Sequence, residues 1–314
     1  MARQWIRKCS LIVGDSGGNG LELSEFRIRF EVCKYPMQTP GFARIRIYNL
    51  SDDTANRIQK EFTKIVLKAG YEDESDFGVI FTGNVKQWRK GRENPVDTYL
   101  DVMAADGDQA YNYAVVNKTL AAGHTHKDTL QAISEAFKKY GVTLGHVADL
   151  GQTVFPRSRP MFGMARDYLR VLARSTGTFW TIQDEKIQIV KTNEALPGKA
   201  FVLNSDTGLI GMPEQTMGGI IARCLLNPNI RINGQVKIDQ KSVQQALRGP
   251  TIEDGAKAPQ LPGIAADGMY KVMYETFIGD TRGPPWYCDL VLQSMNPADN
   301  PIPAPLTNGL TNEP

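Results

Sequence analysis

Side chains able to do chemistry are few and scattered in this 314-residue sequence. Metal binding and nucleophilic catalysis would have to draw on three histidines, His124, His126 and His146, and four cysteines, Cys9, Cys33, Cys224 and Cys288. No CxxC pair occurs, so the close ligand spacing of a structural zinc site is missing. His124-x-His126 has a spacing a metal could use, but it stands directly ahead of a helix start and reads as a polar turn. The cysteines read as reduced, partly buried thiols. Asp106-Gly107-Asp108 opens like a calcium loop, yet the remaining liganding positions do not follow. Asp, Glu and Ser are plentiful, but none stands in a signature for paired carboxylates or for a nucleophile with an oriented base. The glycine run 14–20, GDSGGNG, leads into strand-like sequence and lacks a Lys-Ser/Thr pair, so it reads as a hairpin connection and not a phosphate cradle. The expectation is no metal, no cofactor and no catalytic centre.

Cations interleaved with aromatics are the stronger signal. In 26–32, FRIRFEV, Phe26, Ile28, Phe30 and Val32 alternate with Arg27, Arg29 and Glu31. In 41–50, GFARIRIYNL, Ala43, Ile45 and Ile47 alternate with Phe42, Arg44, Arg46 and Tyr48. Both runs have the period of two expected of a strand with one buried face. Paired, they give a sheet with an apolar underside and an outer face rich in arginine and aromatics. Like charges on adjacent strands repel, so such a face calls for a partner or a larger assembly. Lys86, Trp88, Arg89, Lys90 and Arg92 cluster near a hairpin tip, diluted by Glu93 and Asp97. A subunit contact ranks first there, a solvated tip second and single-strand nucleic-acid binding third. Arg166, Arg170 and Arg174 make a helical stripe, either a solvated face or a docking stripe for an acidic surface. Trp180 and Trp286 read as core.

The elements carrying these residues are mostly strands. Lys+Arg 36 against Asp+Glu 34 leaves a net charge of +2, which excludes a polycation. With 29 Gly and 18 Pro in a chain 41% apolar, a turn-rich β protein with real cores is expected. No apolar run approaches the ~20 residues of a membrane-spanning helix. Residues 1–8 lack an apolar stretch behind their charges, so a signal peptide is not expected and the protein belongs in a cytoplasm. Strands are expected at 5–13, 26–32, 42–48, 63–69, 79–88 and 96–105, with a helix at 52–61 capped by Ser51. A capping box, Thr125-x-x-Asp128, starts a helix running to Tyr140. A strand at 142–147, a proline loop at 153–160, a helix at 164–175 and a hairpin turning at Asp184-Glu185 follow. Strands return at 201–203, 219–226, 230–239, 269–278 and 286–293. The fold class is therefore α+β, mainly β: a β-barrel or sandwich domain over 1–112, a small α+β domain over 113–195 and a second β domain over 196–296. Residues 241–268 form a long excursion, and 297–314 a proline-rich extended tail.

Four passages resemble the baseplate hub proteins of contractile-tailed bacteriophages. They are 26–58, the hairpin GTFWTIQDEKIQIV at 177–190, GLIGMPEQTMGGIIARCLLNPNIRINGQVKI at 208–238, and YKVMYETFIGDTRGPPWYC at 270–288. The resemblance implies two tail-tube-like antiparallel β-barrels per subunit with the α/β domain between them in sequence. It further implies a homotrimeric ring with a pseudo-sixfold face toward the tail tube protein above and a threefold face toward the central spike protein below. Other baseplate proteins would surround it, and genomic DNA would pass through its lumen without sequence-specific binding. The protein would then be a non-enzymatic virion component, assembled in the host cytoplasm, with the arginine faces and stripes above as interface or lumen contacts. Two readings stand beside it: a nucleic-acid-binding β-barrel protein, and a tail-associated cell-wall hydrolase, which the scarcity of histidine disfavours.

Overall fold

The computed structural model describes residues 6–15, 19–216, 218–239, 243, 265 and 267–295. The proline-rich tail and nearly all of the 241–268 excursion lie outside them.

Within 1–112 the strands are β1 (Arg7–Gly14), β2 (Gly20–Glu22), β3 (Ile28–Lys34), β4 (Phe42–Tyr48), β5 (Lys64–Tyr71), β6 (Phe77–Arg92) and β7 (Thr98–Ala105). Helix α1 (Asp52–Glu61) sits between β4 and β5, its first amides capped by Ser51 and its dipole met by Asp52 and Asp53. Its buried Ala55 and Ile58 close one end of the core.

The middle segment holds α2 (Asp108–Tyr113), β8 (Val115–Leu120), β9 (His124–Thr125), α3 (His126–Lys138), β10 (Thr143–Val147), β11 (Val154–Phe155), β12 (Arg159–Met164), α4 (Ala165–Thr176), β13 (Thr178–Gln183) and β14 (Lys186–Lys191). The expected capping box of α3 is present, with Thr125 and Asp128 satisfying each other's backbone N–H. Helix α4 ends at Gly177 in the left-handed region, φ 64°. Both helices pack on the sheet β10-β14-β13 around a core of Leu130, Ile133, Phe137, Leu169, Leu172 and the fully buried Trp180.

The last segment contributes β15 (Phe201–Leu203), β16 (Leu209–Thr216), β17 (Gly219–Leu225), β18 (Gln235–Ile238), β19 (Met269–Asp280) and β20 (Trp286–Ser294). These strands do not form a separate sheet. β19 pairs with β3, Phe277 opposite Val32 and Gly279 opposite Phe30, so first and last segments share one 13-stranded sheet. Its path runs β16-β17-β20-β19-β3-β4-β7-β6-β5-β1-β2, with β15 and β18 joined through β19. One apolar core, from Leu11 to Leu292, lies inside its curl. The curl brings β1 and β5 back over the β19–β20 turn: Arg7 donates to the carbonyls of Gly283 and Pro284, and Trp286 Nε1 to Gly70 O at 3.3 Å. Among the described residues this return is made by side chains, and no strand pairing closes a barrel.

Several expected boundaries move, β6 among them, which runs Phe77–Arg92 against an expected 79–88. The strand expected at 26–32 begins at Ile28 and ends at Lys34. The one expected at 230–239 shortens to β18, because Asn233 takes a left-handed turn conformation, φ 63°. The 153–160 loop carries β11 and the start of β12. Gly279 is required by space. A Cβ there would stand 2.2 Å from Phe30, whose ring packs edge-on against Trp286 at 5.5 Å. Gly279→Ala should therefore cost about 1–3 kcal/mol by overpacking the β3–β19 seam, read as a lower denaturation midpoint.

Candidate assembly surface

The register places Asp280, Arg29, Arg46, Asp101 and Arg89 in one row across β19, β3, β4, β7 and β6. The next row on that face runs Ile278, Glu31, Arg44, Met103 and Gln87. Expected arginine–arginine repulsion is relieved inside the chain. Arg46 forks onto Asp101 at 2.6 and 3.0 Å, with its guanidinium 3.8 Å from the Tyr99 ring centre. Arg27 forks onto Asp280 at 3.2 and 2.7 Å over Tyr48. Arg223 forks onto Asp289 at 2.6 and 2.9 Å over Tyr287. One device, an arginine fork braced by a tyrosine, thus recurs three times on the sheet. Burial disfavours the Asp280 charge, but Arg27 and the Arg282 amide outweigh it and hold that carboxyl below its ordinary value. Arg44 reaches Glu31 only at 3.7 Å, with Arg44 exposed and Glu31 half-buried. Arg29 and Arg89 are exposed and make no ion pair among the described residues. A hollow of about 430 Å³ lined by Arg29, Glu31, Arg44, Arg46, Asp101 and Ile278 results. It carries both signs of charge, so it suits contact with a protein surface better than a track for phosphates.

The hairpin-tip cluster does not converge. A bulge in β6 between Val85 and Gln87 puts Trp88 opposite Val102, against the core, and Arg89 on the outer face opposite Asp101. Lys90 turns to α1, donating to Asn56 at 2.7 Å and lying 3.3 Å from Asp52. Lys86 pairs with Asp108 at 3.0 Å, and Arg92 caps the Pro95 carbonyl at 3.4 Å. The stacking platform that single-strand binding needs is thus absent from this cluster. The α4 stripe divides as well. Arg166 donates to Tyr111 O at 3.1 Å over the Tyr111 ring, Arg170 donates to Gln38 at 2.9 Å, and Arg174 is exposed. His124 and His126 flank Phe155, one stacked and one edge-on, each 5.0 Å from its ring centre. Among the described residues no three His, Cys, Asp or Glu side chains gather as metal ligands, and no helix is long and apolar enough to cross a membrane.

The groups that sequence reasoning passed over are buried ones, where the α/β segment meets the sheet. Asp106 is 3% exposed and accepts the backbone N–H groups of Asp184 and Glu185 at the β13–β14 turn. Burial, reinforced by the Asp184 charge, pushes its pKa up to about 7. On either side Lys34 pairs with Asp184 at 2.9 Å and Lys64 with Glu185 at 2.9 Å. Lys271, lowered to about 8 by burial, donates to the carbonyl of Glu194 at 2.7 Å. Glu275 is 1% exposed with neither oxygen hydrogen-bonded, and burial raises it to about 8. The one available signal was charge at the apolar phase of a strand, as with Glu275 two residues before Phe277.

No curated protein matches the chain in sequence. In fold it is similar to the 43 kDa tail protein of prophage MuSo2 from Shewanella oneidensis (TM-score 0.58, 10% identity, 92% of this chain and 98% of that one). It is also similar to the tail protein from Neisseria meningitidis MC58 (TM-score 0.55, 10% identity, 92% and 97%). A third likeness is to E. coli c3393, a component of the type VI secretion system described as structurally similar to the T4 bacteriophage tail proteins gp27 and gp5 (TM-score 0.50, 9% identity, 86% and 73%). The family described as baseplate hub gp41 matches residues 10–243. With residues 10–243 matched, well over half of its length, the chain belongs to the baseplate hub gp41 family.

Proposed function

We propose that this chain is the hub of a contractile tail, a homotrimeric ring that adapts the sixfold tail tube to the threefold spike and lines the DNA channel. It acts by shape and contact and not by chemistry. The observation carrying the reading is the β3–β19 pairing. It fuses β strands from both ends of the sequence into one rigid sheet, so each subunit presents two β regions in fixed relation, as a trimer imitating sixfold symmetry requires. The mixed-charge face around Arg29, Arg44, Arg46 and Arg89 supports a subunit contact over a lumen lining. In the finished particle the protein sits in the virion baseplate, with tube, spike and other baseplate proteins as neighbours. Light scattering on the purified chain tests the ring. The expected mass is three times the 34.8 kDa subunit. Arg29→Glu with Arg89→Glu should shift it toward monomer, because neither arginine makes an ion pair among the described residues. A wild-type mass equal to one subunit at tens of micromolar overturns the self-closing ring.

A further inference from the structure

A second polar feature lies away from the arginine face. Between the outward face of β14 and the strand β18 runs a cleft of about 540 Å³, within the ~300–1,000 Å³ range of ligand pockets. Lys186 on β14, Lys199 on the approach to β15, and Arg231 in the turn before β18 line it, with His146 on β10. No Asp or Glu lines it, and none of these three cations makes an ion pair among the described residues. The carboxyl that senses Arg231 is Glu275, sealed beneath the surface and held toward its neutral form by burial, so it does little to cancel that charge. Gln188 uses its amide oxygen to accept the backbone N–H of His146 at 2.8 Å, which leaves its NH2 group as a donor for a ligand. Gln235 adds a second amide to the lining.

We propose that this cleft receives an extended acidic segment of a partner protein. The cations come from three separate elements and not from one loop, which suits carboxylates carried along a chain better than one compact phosphate. Helix N-termini, the usual seat of phosphate, are absent from the lining. The two glutamine amides suit a peptide backbone, and Phe201 and Val236 supply apolar wall between charges. The site is independent of the hub ring: it can fail while the ring stands.

The probe is a fluorescently labelled eight-residue peptide alternating Glu and Ser, followed by anisotropy against the intact chain. Binding is expected at low salt and should weaken as salt shortens the Debye length toward about 8 Å. Lys186→Glu with Arg231→Glu should weaken it by at least ~10-fold, whereas Lys127→Glu on α3, outside both the cleft and the arginine face, should leave it unchanged. The three altered side chains are exposed, so unchanged circular dichroism is expected. Inorganic triphosphate and an eight-nucleotide single strand serve as competitors, and neither should displace the peptide at equal charge concentration. The proposal fails if the peptide does not bind at low salt, if the double variant binds as well as wild type, or if either competitor binds more tightly than the peptide.

Discussion

Asp106→Ala should loosen the α/β segment from the sheet before the sheet itself unfolds. The carboxylate accepts two backbone N–H groups at the β13–β14 turn, and the turn is closed in on itself, with Asp184 and Glu185 both at positive φ, 52° and 59°. Each buried donor left without a partner costs ~1–3 kcal/mol, so the variant should lose on the order of 3 kcal/mol. The flanking Lys34–Asp184 and Lys64–Glu185 pairs depend on the same turn and weaken with it. Asp106→Asn retains an acceptor oxygen and should cost less than half as much. Hydrogen exchange is the decisive measurement. Amides of β13 and β14 should lose protection well before those of β3 and β4. Uniform exchange throughout the chain, or unchanged protection at Asp184 and Glu185, would show that Asp106 is not the tie.

That tie also marks the limit of what could be read from sequence. The Ser51 cap located α1, and periodicity located α3, α4 and most long strands because each of these carries an uninterrupted apolar face: Ile28, Phe30 and Val32 in β3, or Leu130, Ile133 and Phe137 in α3. Elements without such a run stayed hidden. Helix α2 is 6 residues long, too short to display a 3.6-residue period, and in β16 Gly211 and Pro213 interrupt any alternation. Proline is tolerated there because β16 is the edge of the sheet path. The alternation of Arg27, Arg29, Arg44 and Arg46 correctly set out a polar outer face. Their relief came from Asp101 and Asp280, distant in sequence, and strand order cannot be computed from local pattern. The same holds for the β3–β19 seam, which joins Val32 to Phe277. Asp106-Gly107-Asp108 was visible as an acidic pair around a glycine, but its use was not: Asp106 holds a turn, Gly107 takes a left-handed φ of 60°, and Asp108 meets Lys86.

Glu275 should make the protein less stable in mildly alkaline solution than in mildly acidic solution, and Glu275→Gln should abolish most of that difference. In the register Glu275 lies opposite Lys34, but Lys34 Nζ is spent on both oxygens of Asp184, at 2.9 and 3.1 Å. The Lys34 charge still attracts a Glu275 carboxylate, but Asp184 repels it and Arg231 adds only a smaller attraction. Burial therefore dominates, and the native state keeps the proton up to about pH 8. The unfolded chain releases it near the ordinary ~4.3. Between those values the folded state binds more protons than the unfolded one, so stability must fall as pH rises through the window. The full fall is roughly 5 kcal/mol, much of it between pH 5 and pH 8. Asp106, raised to about 7, adds in the same direction up to that pH. Lys271, lowered to about 8, acts in the opposite direction only above pH 8, which keeps the test window clear of it. Urea titrations of wild type and Glu275→Gln at intervals across that window give the answer. The two curves should lie close together at pH 5 and diverge toward pH 8, with the glutamine variant the more stable. Parallel curves would mean that Glu275 ionises freely in the folded protein, and the sealed, uncompensated carboxyl would then have to be given up.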